Sequence, residues 1–395
     1  MSEATGSAFA ILDGVRVLDL SRIIAGPYAA QMLTDFGAEV IKVERPGIGD
    51  DARQYGRGIA GGRPVSPAFG ALNAGKRSVC LDLRSEEDRA ILFQLVDSAD
   101  VLIQNFRPGL AEKLGIDAET LRTRNPKLVY CTVSGFGETG PLRMRTAVDA
   151  VGQAYGGLMG INGEDGRPPA RVPVPIADLA SGLNATIAIL AALLRRAKTG
   201  RGATVGVSLL ESVVGLMSHH ITETLITKVP MRRMGSRTRV GVPNQAFQTS
   251  DGWVMLSATN DSMWRVCAGA LGNAALADDP RFRTQAARAE HEDECADEVE
   301  KLTSALSTTE VLERLEVVNV PCAPLLTIEE LMRDPQIEAL GLMTTEDYMG
   351  VTVPVVAGHF RLDGERSRPG RVPELGEHTG EVLARLEPDR GVVRS

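Results

Sequence analysis

The segment Pro173-Val-Pro-Ile-Ala-Asp178-Leu-Ala-Ser-Gly182 places a lone acid where a proline-rich stretch gives way to a long apolar run. An acid at such a junction has two uses. It can cap the first turn of a helix, accepting hydrogen bonds from unpaired backbone N–H groups. It can also act as a covalent nucleophile, with the positive end of the helix stabilising its charge and adjacent N–H groups available to a developing oxyanion. Spacing alone leaves both readings of Asp178 open. Gly152, Gly156, Gly157 and Gly160 precede it, with Tyr155 among them. They read either as a flexible connector or as points of close backbone approach.

A second set of residues could hold an anion. Arg45, Lys76, Arg77, Arg107 and Lys113 recur after or beside apolar strand-like runs. Each alone reads as a solvated surface charge. As a set they suit a phosphate-rich ligand, because open α/β sheets bind ligands beyond the carboxyl ends of their strands. Asn105-Phe-Arg-Pro-Gly109 is a turn that could aim Arg107 inward. A further basic group, Arg232, Arg233, Arg237 and Arg239, reads as a surface loop or as a lid for an acidic substrate. Arg171, just before the proline-rich stretch, joins it as a candidate for a second carboxylate. The loop Ser21-Arg-Ile-Ile-Ala-Gly-Pro27, with Glu44 ending the next strand, has the layout of a dinucleotide site. It has a single glycine, Gly26, where that site needs three, and no Walker loop occurs.

These residues need a scaffold, and the hydrophobic pattern supplies one. Val15–Leu20, Glu39–Glu44, Arg77–Leu83, Val101–Gln104 and Leu128–Val133 read as strands, the first two separated by a helix from Pro27 to Phe36. Ser85 opens a helix in capping-box style. This is a large doubly wound, Rossmann-like α/β domain with a parallel sheet. A helix over Leu179–Lys198, a strand over Thr204–Leu209 and a helix over Glu211–Ile226 follow. We expect a large domain over 1–225, a smaller α+β domain over 226–330, and a C-terminal return over 331–395.

Composition narrows the function. The 395 residues are 43% hydrophobic and 24% charged, with a net charge of −8. That balance argues against generic binding to nucleic acid or to an anionic membrane. No apolar run reads as a membrane span and the N-terminus lacks a signal-peptide pattern, so a cytoplasmic location is expected. The five cysteines are scattered without C-x-x-C spacing, and the five histidines lack ligand spacing, which predicts no metal site.

Together the segments resemble the class III coenzyme A transferases, the family of formyl-CoA transferase and carnitine CoA-transferase, with α-methylacyl-CoA racemase in the same superfamily. The resemblance rests on Leu12-Asp-Gly-Val-Arg-Val-Leu-Asp19, Ala25-Gly-Pro27, Gly37-Ala-Glu-Val-Ile-Lys-Val-Glu-Arg-Pro46 and Asn73-Ala-Gly-Lys-Arg-Ser78. It continues through Asn105-Phe-Arg-Pro-Gly109, Ala177-Asp-Leu179, Lys198-Thr-Gly-Arg-Gly202 and Leu375-Gly-Glu-His-Thr379. It implies that Asp178 is a nucleophile forming an acyl-aspartyl anhydride and then an enzyme–CoA thioester. It implies CoA contacts from Ile23, Ile24, Arg45 and Lys113, with support from Lys76, Arg77 and Arg107. It implies an acyl-CoA donor and a carboxylate acceptor, no permanently bound cofactor, and an interlocked homodimer.

Two departures refine that resemblance. The racemases use a histidine and a glutamate at the α-proton; the matching positions here hold Val148 and Asn260. Without an acid–base pair there, transfer is expected over racemisation. The glycine-rich loop of formyl-CoA transferase is replaced by Gly241-Val-Pro-Asn-Gln245, and Ile24 and Ser134 stand where that enzyme has polar or basic groups. Dicarboxylic acids such as succinate, glutarate or malate-like acceptors are therefore expected, rather than the oxalate and formate pair. The alternatives are an α-methylacyl-CoA racemase and a catalytically inactive CoA-binding protein.

Overall fold

The fold is described from a computed structural model over residues 8–386, leaving aside 57, 61, 62, 239, 240, 349 and 369. The main sheet has six parallel strands: β1 (Arg16–Asp19), β2 (Glu39–Glu44), β3 (Arg77–Cys80), β4 (Val101–Gln104), β5 (Val129–Ser134) and β6 (Ala203–Ser208). Their order across the sheet is β3-β2-β1-β4-β5-β6. The order reverses between β1 and β4, so the loops after these two strands diverge and leave a crevice. The inner strands are buried along nearly their whole length. Parallel strands covered on both faces read as unbroken apolar runs for that reason. β6, at an edge, alternates buried and exposed residues instead.

One face of the sheet packs a core of Leu18, Ile41, Val79, Leu92, Leu102 and Tyr130. Four helices matter for the site: α1 (Ala25–Asp35), α2 (Asp149–Tyr155), α3 (Ile176–Thr199) and α4 (Leu209–Leu216). α3 crosses α1 closely at Gly182. A Cβ there would lie 2.8 Å from the Ala25 carbonyl oxygen and from the Tyr28 ring. α3 is long and apolar enough to cross a membrane by length and composition, which corrects the expectation that no such stretch exists. Ala177, Ala180, Ala185 and Ile189 bury its inner side, as in a core helix.

By contacts the chain forms two compact units, one of 1–159, 171–230 and 338–395, the other of 160–170 and 231–337. In the first, the C-terminal segment lies beside β3: Gly75 N–H donates to the Arg371 carbonyl and Cys80 N–H to Thr379 Oγ1. The second unit carries an antiparallel sheet in the order Cys322–Pro324, Trp253–Ser257, Asn244–Gln248. Its core gathers Phe247, Leu256, Trp264, Phe282 and Leu315. Some helix boundaries differ from the sequence reading. Glu211–Ile226 is two helices, Leu209–Leu216 and Ser218–Thr227, broken at Met217.

Candidate active site

A cavity of about 850 Å³ runs along the carboxyl ends of the main-sheet strands. Leu81–Arg84 after β3, Val43–Arg45 of β2, Leu20–Ile23 after β1 and Asn105–Pro108 after β4 line it from one side. Ser134 and Gly135 at the end of β5, Arg145–Val148, Leu209 and Asp178 close the other. The cavity therefore spans the crevice and ends at the lone acid.

Asp178 is not the cap of α3. The helix begins at Ile176, with Pro175 at the N-cap position, so Asp178 is the third helical residue. The capping role falls to Asp149, which opens α2. Its Oδ1 accepts from Ala177 N–H at 2.8 Å and from Asp178 N–H at 3.4 Å, and its Oδ2 accepts from Gln153 Nε2 at 2.7 Å. Asp149 is buried, and α2 reaches α3 and α4 because Gly156 packs on Val213, where a Cβ would come within 2.6 Å. The Asp178 carboxylate has no hydrogen-bond donor among the described residues. Burial pushes its pKa up to about 7, and the neighbouring Asp149 charge adds to the rise. An acid so placed ionises near neutrality and keeps its lone pairs free, the condition for a nucleophile.

The loop after β1 is held from three directions. Arg22 N–H donates to Asn105 Oδ1 at 2.9 Å, and Asn105 Nδ2 returns a bond to the Arg22 carbonyl at 2.7 Å. Ile23 has φ of 75°, a left-handed conformation strained for a β-branched residue. Asp50 Oδ1 accepts from its N–H at 3.0 Å. Asp50 in turn pairs with Lys42 at 2.9 Å. Ile23 thus lines the cavity, whereas Ile24 sits at the N-cap position of α1, outside the lining.

The expected basic residues separate. Arg45 and Arg107 line the cavity. Arg45 is paired with Asp51 at 2.7 Å, and Arg22 reaches the same carboxylate at 3.3 Å. Lys113 is exposed and lies off the lining, which takes Leu110 and Leu114 from its helix. Lys76 is buried, and its ammonium spends all three protons on Asp19 at 2.8 Å, the Pro27 carbonyl at 2.9 Å and Asn73 at 2.9 Å. Burial lowers its pKa to about 8 despite Asp19. For Asp19 burial is outweighed by Lys42 and Lys76, which hold it at about 2. Lys76 has no donor left for a ligand. Arg77 opens β3, at the end of the strand away from the cavity, and pairs with Glu39 at 2.8 Å and with Glu381. The basic residues therefore do not form one cluster, because the two ends of a parallel strand open on opposite edges of the sheet.

The second basic group lies in the smaller unit and is engaged there. Arg237 pairs with Asp293, Arg232 with Glu292 at 3.7 Å, and Arg233 donates to the carbonyls of Glu164 and Arg167. Arg239 lies outside the described residues. Arg171 is exposed and off the cavity lining. Gly241–Gln245 also belongs to the smaller unit. Val148 lines the cavity next to Asp149, and Asn260 caps the helix Asp261–Ala270 by accepting from Met263 N–H at 2.9 Å. Among the described residues no histidine lines the cavity. Sequence reasoning missed Asp149, Arg84 and Arg145. Only Asp149 carried a signal, an acid opening a glycine-spaced helix, and its partner lies 28 residues away.

The sequence profile of CoA-transferase family III matches residues 12–379. A succinate–glutarate CoA-transferase of Agrobacterium fabrum is 39% identical, over 95% of this chain and 96% of its own. A succinyl-CoA–D-citramalate CoA-transferase of Chloroflexus aurantiacus is 36% identical, over 95% and 94%. The crystal structure of a CaiB/BaiF family protein from Brucella suis superposes with a TM-score of 0.86 at 36% identity, covering 95% of this chain and 99% of that one. With a match over nearly its whole length, this chain belongs to CoA-transferase family III.

Proposed function

We propose that the protein moves CoA from an acyl-CoA donor to a carboxylic acid, with Asp178 as the covalent carrier. The observation that carries this reading is the Asp178 carboxylate, raised to about 7 and unbonded, at one end of a cavity whose other end holds Arg45, Arg84 and Arg107. The relatives that act on succinate, glutarate and citramalate support dicarboxylic acids as its substrates.

The steps balance without an outside reactant. The Asp178 carboxylate attacks the thioester carbonyl, the C–S bond breaks, and CoA leaves as thiolate. The thiolate then attacks the aspartyl carbonyl of the mixed anhydride, releasing the donor acid and leaving an aspartyl–CoA thioester. The acceptor carboxylate attacks that thioester, expelling the thiolate again. The thiolate finally takes the acceptor acyl group and restores Asp178. Each exchange conserves an activated acyl group, so water must be kept from the anhydride. Arg45 and Arg107 hold the anionic nucleotide end as guanidinium forks, and Ile23 shapes the cavity wall after β1. Arg77 and Lys76 take no part in binding. We further read the working molecule as an interlocked homodimer.

The test is a matrix of acyl-CoA donors against carboxylate acceptors, read by mass spectrometry, with hydroxylamine trapping. Wild type should give an adduct on Asp178 and CoA transfer; Asp178→Ala should lose both, with transfer down at least about 10⁴-fold. Turnover retained in that variant refutes the role of Asp178. Deuterium exchange at the α-carbon without any acceptor acid would identify a racemase. Absence of any adduct across the panel would identify an inactive CoA-binding protein.

A further inference from the structure

The cations around the cavity are unevenly distributed along the sheet. Following the strand order, Arg84 stands after β3, Arg45 at β2, Arg22 after β1 and Arg107 after β4. Beyond β4, at β5 and β6, the cavity carries a single basic side chain among the described residues, Arg145. Strands lie about 4.8 Å apart, so the outer two are separated by about 24 Å. The nucleophile Asp178 is at the Arg145 end. A thioester that presents its carbonyl to Asp178 must therefore send its CoA portion toward β3 and leave its acyl chain at β5 and β6.

Like Arg84 and Arg107, Arg145 has no side-chain hydrogen bond or ion pair among the described residues, but it alone of the described cavity arginines packs on aromatic rings. Arg22 and Arg45 share Asp51. The Arg145 guanidinium lies 5.5 Å from the centroid of Phe136 and 6.0 Å from that of Tyr155. Those rings meet edge to face, 5.1 Å apart. Its backbone N–H is fixed on the Leu142 carbonyl at 2.8 Å. Aromatic faces orient a guanidinium without using its N–H donors, so all five remain available. On this side the cavity is lined by the aliphatic side chains of Val148, Val151 and Leu209, together with Ser134 and Thr146.

An acid at one end, an aliphatic wall and an unpaired planar cation describe a short aliphatic chain with a carboxylate at each end. We infer that Arg145 binds the distal carboxylate of the acyl group and so selects dicarboxylic acids over monocarboxylic ones. The assignment rests on the CoA-transfer reading, and it replaces Arg171 and the Arg232–Arg239 group as the second-carboxylate partner.

The experiment compares isotope-labelled succinate, succinamate and butyrate as acceptors of CoA from unlabelled succinyl-CoA, read by mass spectrometry, in wild type, Arg145→Gln and Arg145→Lys. Succinamate keeps the size of succinate but lacks the distal charge. A charge-assisted bond of this kind corresponds to about 10- to 150-fold. Wild type should prefer succinate to succinamate by about that factor in kcat/KM. Arg145→Gln should erase the preference, and Arg145→Lys should restore part of it because lysine keeps the charge without the fork. A succinate-to-succinamate ratio that stays within about threefold of wild type in Arg145→Gln overturns the assignment. So does a wild type that takes succinamate as well as succinate, a result that needs no variant. If wild type transfers CoA to no carboxylate at all, the transfer reading fails along with this one. If transfer is intact and only the ratio is unmoved, this inference alone fails.

Discussion

Asp178 ties charge, ionisation and reactivity together in one side chain. With its pKa at about 7, the nucleophilic form is lost on acidification. We expect log kcat/KM to fall by about one unit per pH unit below pH 7, and Asp149→Asn to move that limb to lower pH by removing the like charge. A limb at ordinary carboxylate pH in wild type would contradict the geometry. Stability follows with the opposite sign. A carboxyl whose folded pKa lies above its unfolded value contributes its stability below about pH 4 and loses it as pH rises toward 7. Asp178→Asn should therefore be more stable than wild type by about 2–4 kcal/mol at pH 8, with the difference closing near pH 4. Urea melts that stay parallel from pH 4 to pH 8 would refute this. Asp178 was visible in the sequence as an acid before an apolar run. Its freedom from capping was not, because the cap comes from Asp149 on another helix.

At the scale of elements, the main-sheet strands were legible because burial on both faces makes each an apolar run. The start of α3 was displaced because Pro173 and Pro175 read as extended chain. Pro175 in fact occupies the N-cap position, where its missing N–H costs nothing. Basic residues beside strands were not separable by type. Arg107 and Lys76 look alike in sequence, yet Lys76 is committed to Asp19, 57 residues away. This separation is testable. Removing one partner of a buried ion pair leaves the other uncompensated, so Lys76→Ala should cost about 3–5 kcal/mol in urea melts. The CoA affinity of the folded variant, measured by calorimetry, should stay within about threefold of wild type. A selective loss of CoA binding with unchanged stability would return Lys76 to the site.

For the whole molecule, the first unit leaves large apolar side chains in solvent along α3 and the helix Ser218–Thr227. Ile187 is 64% exposed, Leu194 70%, Leu225 62% and Ile226 75%. Large exposed apolar side chains suit an association surface, and they accord with the homodimer proposed above. Light scattering should return twice the 42.2 kDa mass of one chain; a particle of one chain mass at micromolar concentration would refute the dimer. What covers such a surface was not readable from hydrophobic periodicity, which reports burial without saying what covers it.

The division of labour between Asp149 and Asp178 has a consequence for the working cycle. On the proposed route Asp178 is, in turn, an anion, an anhydride and a thioester, and in two of those three forms it carries no charge. A helix that depended on Asp178 for its N-terminal hydrogen bonds would fray at every acylation and have to re-form at every release. Because Asp149 holds Ala177 N–H whatever is attached next door, the leading turn of α3 has the same hydrogen-bond partner in every covalent state. The carrier can be loaded and unloaded without the frame that aims it changing shape.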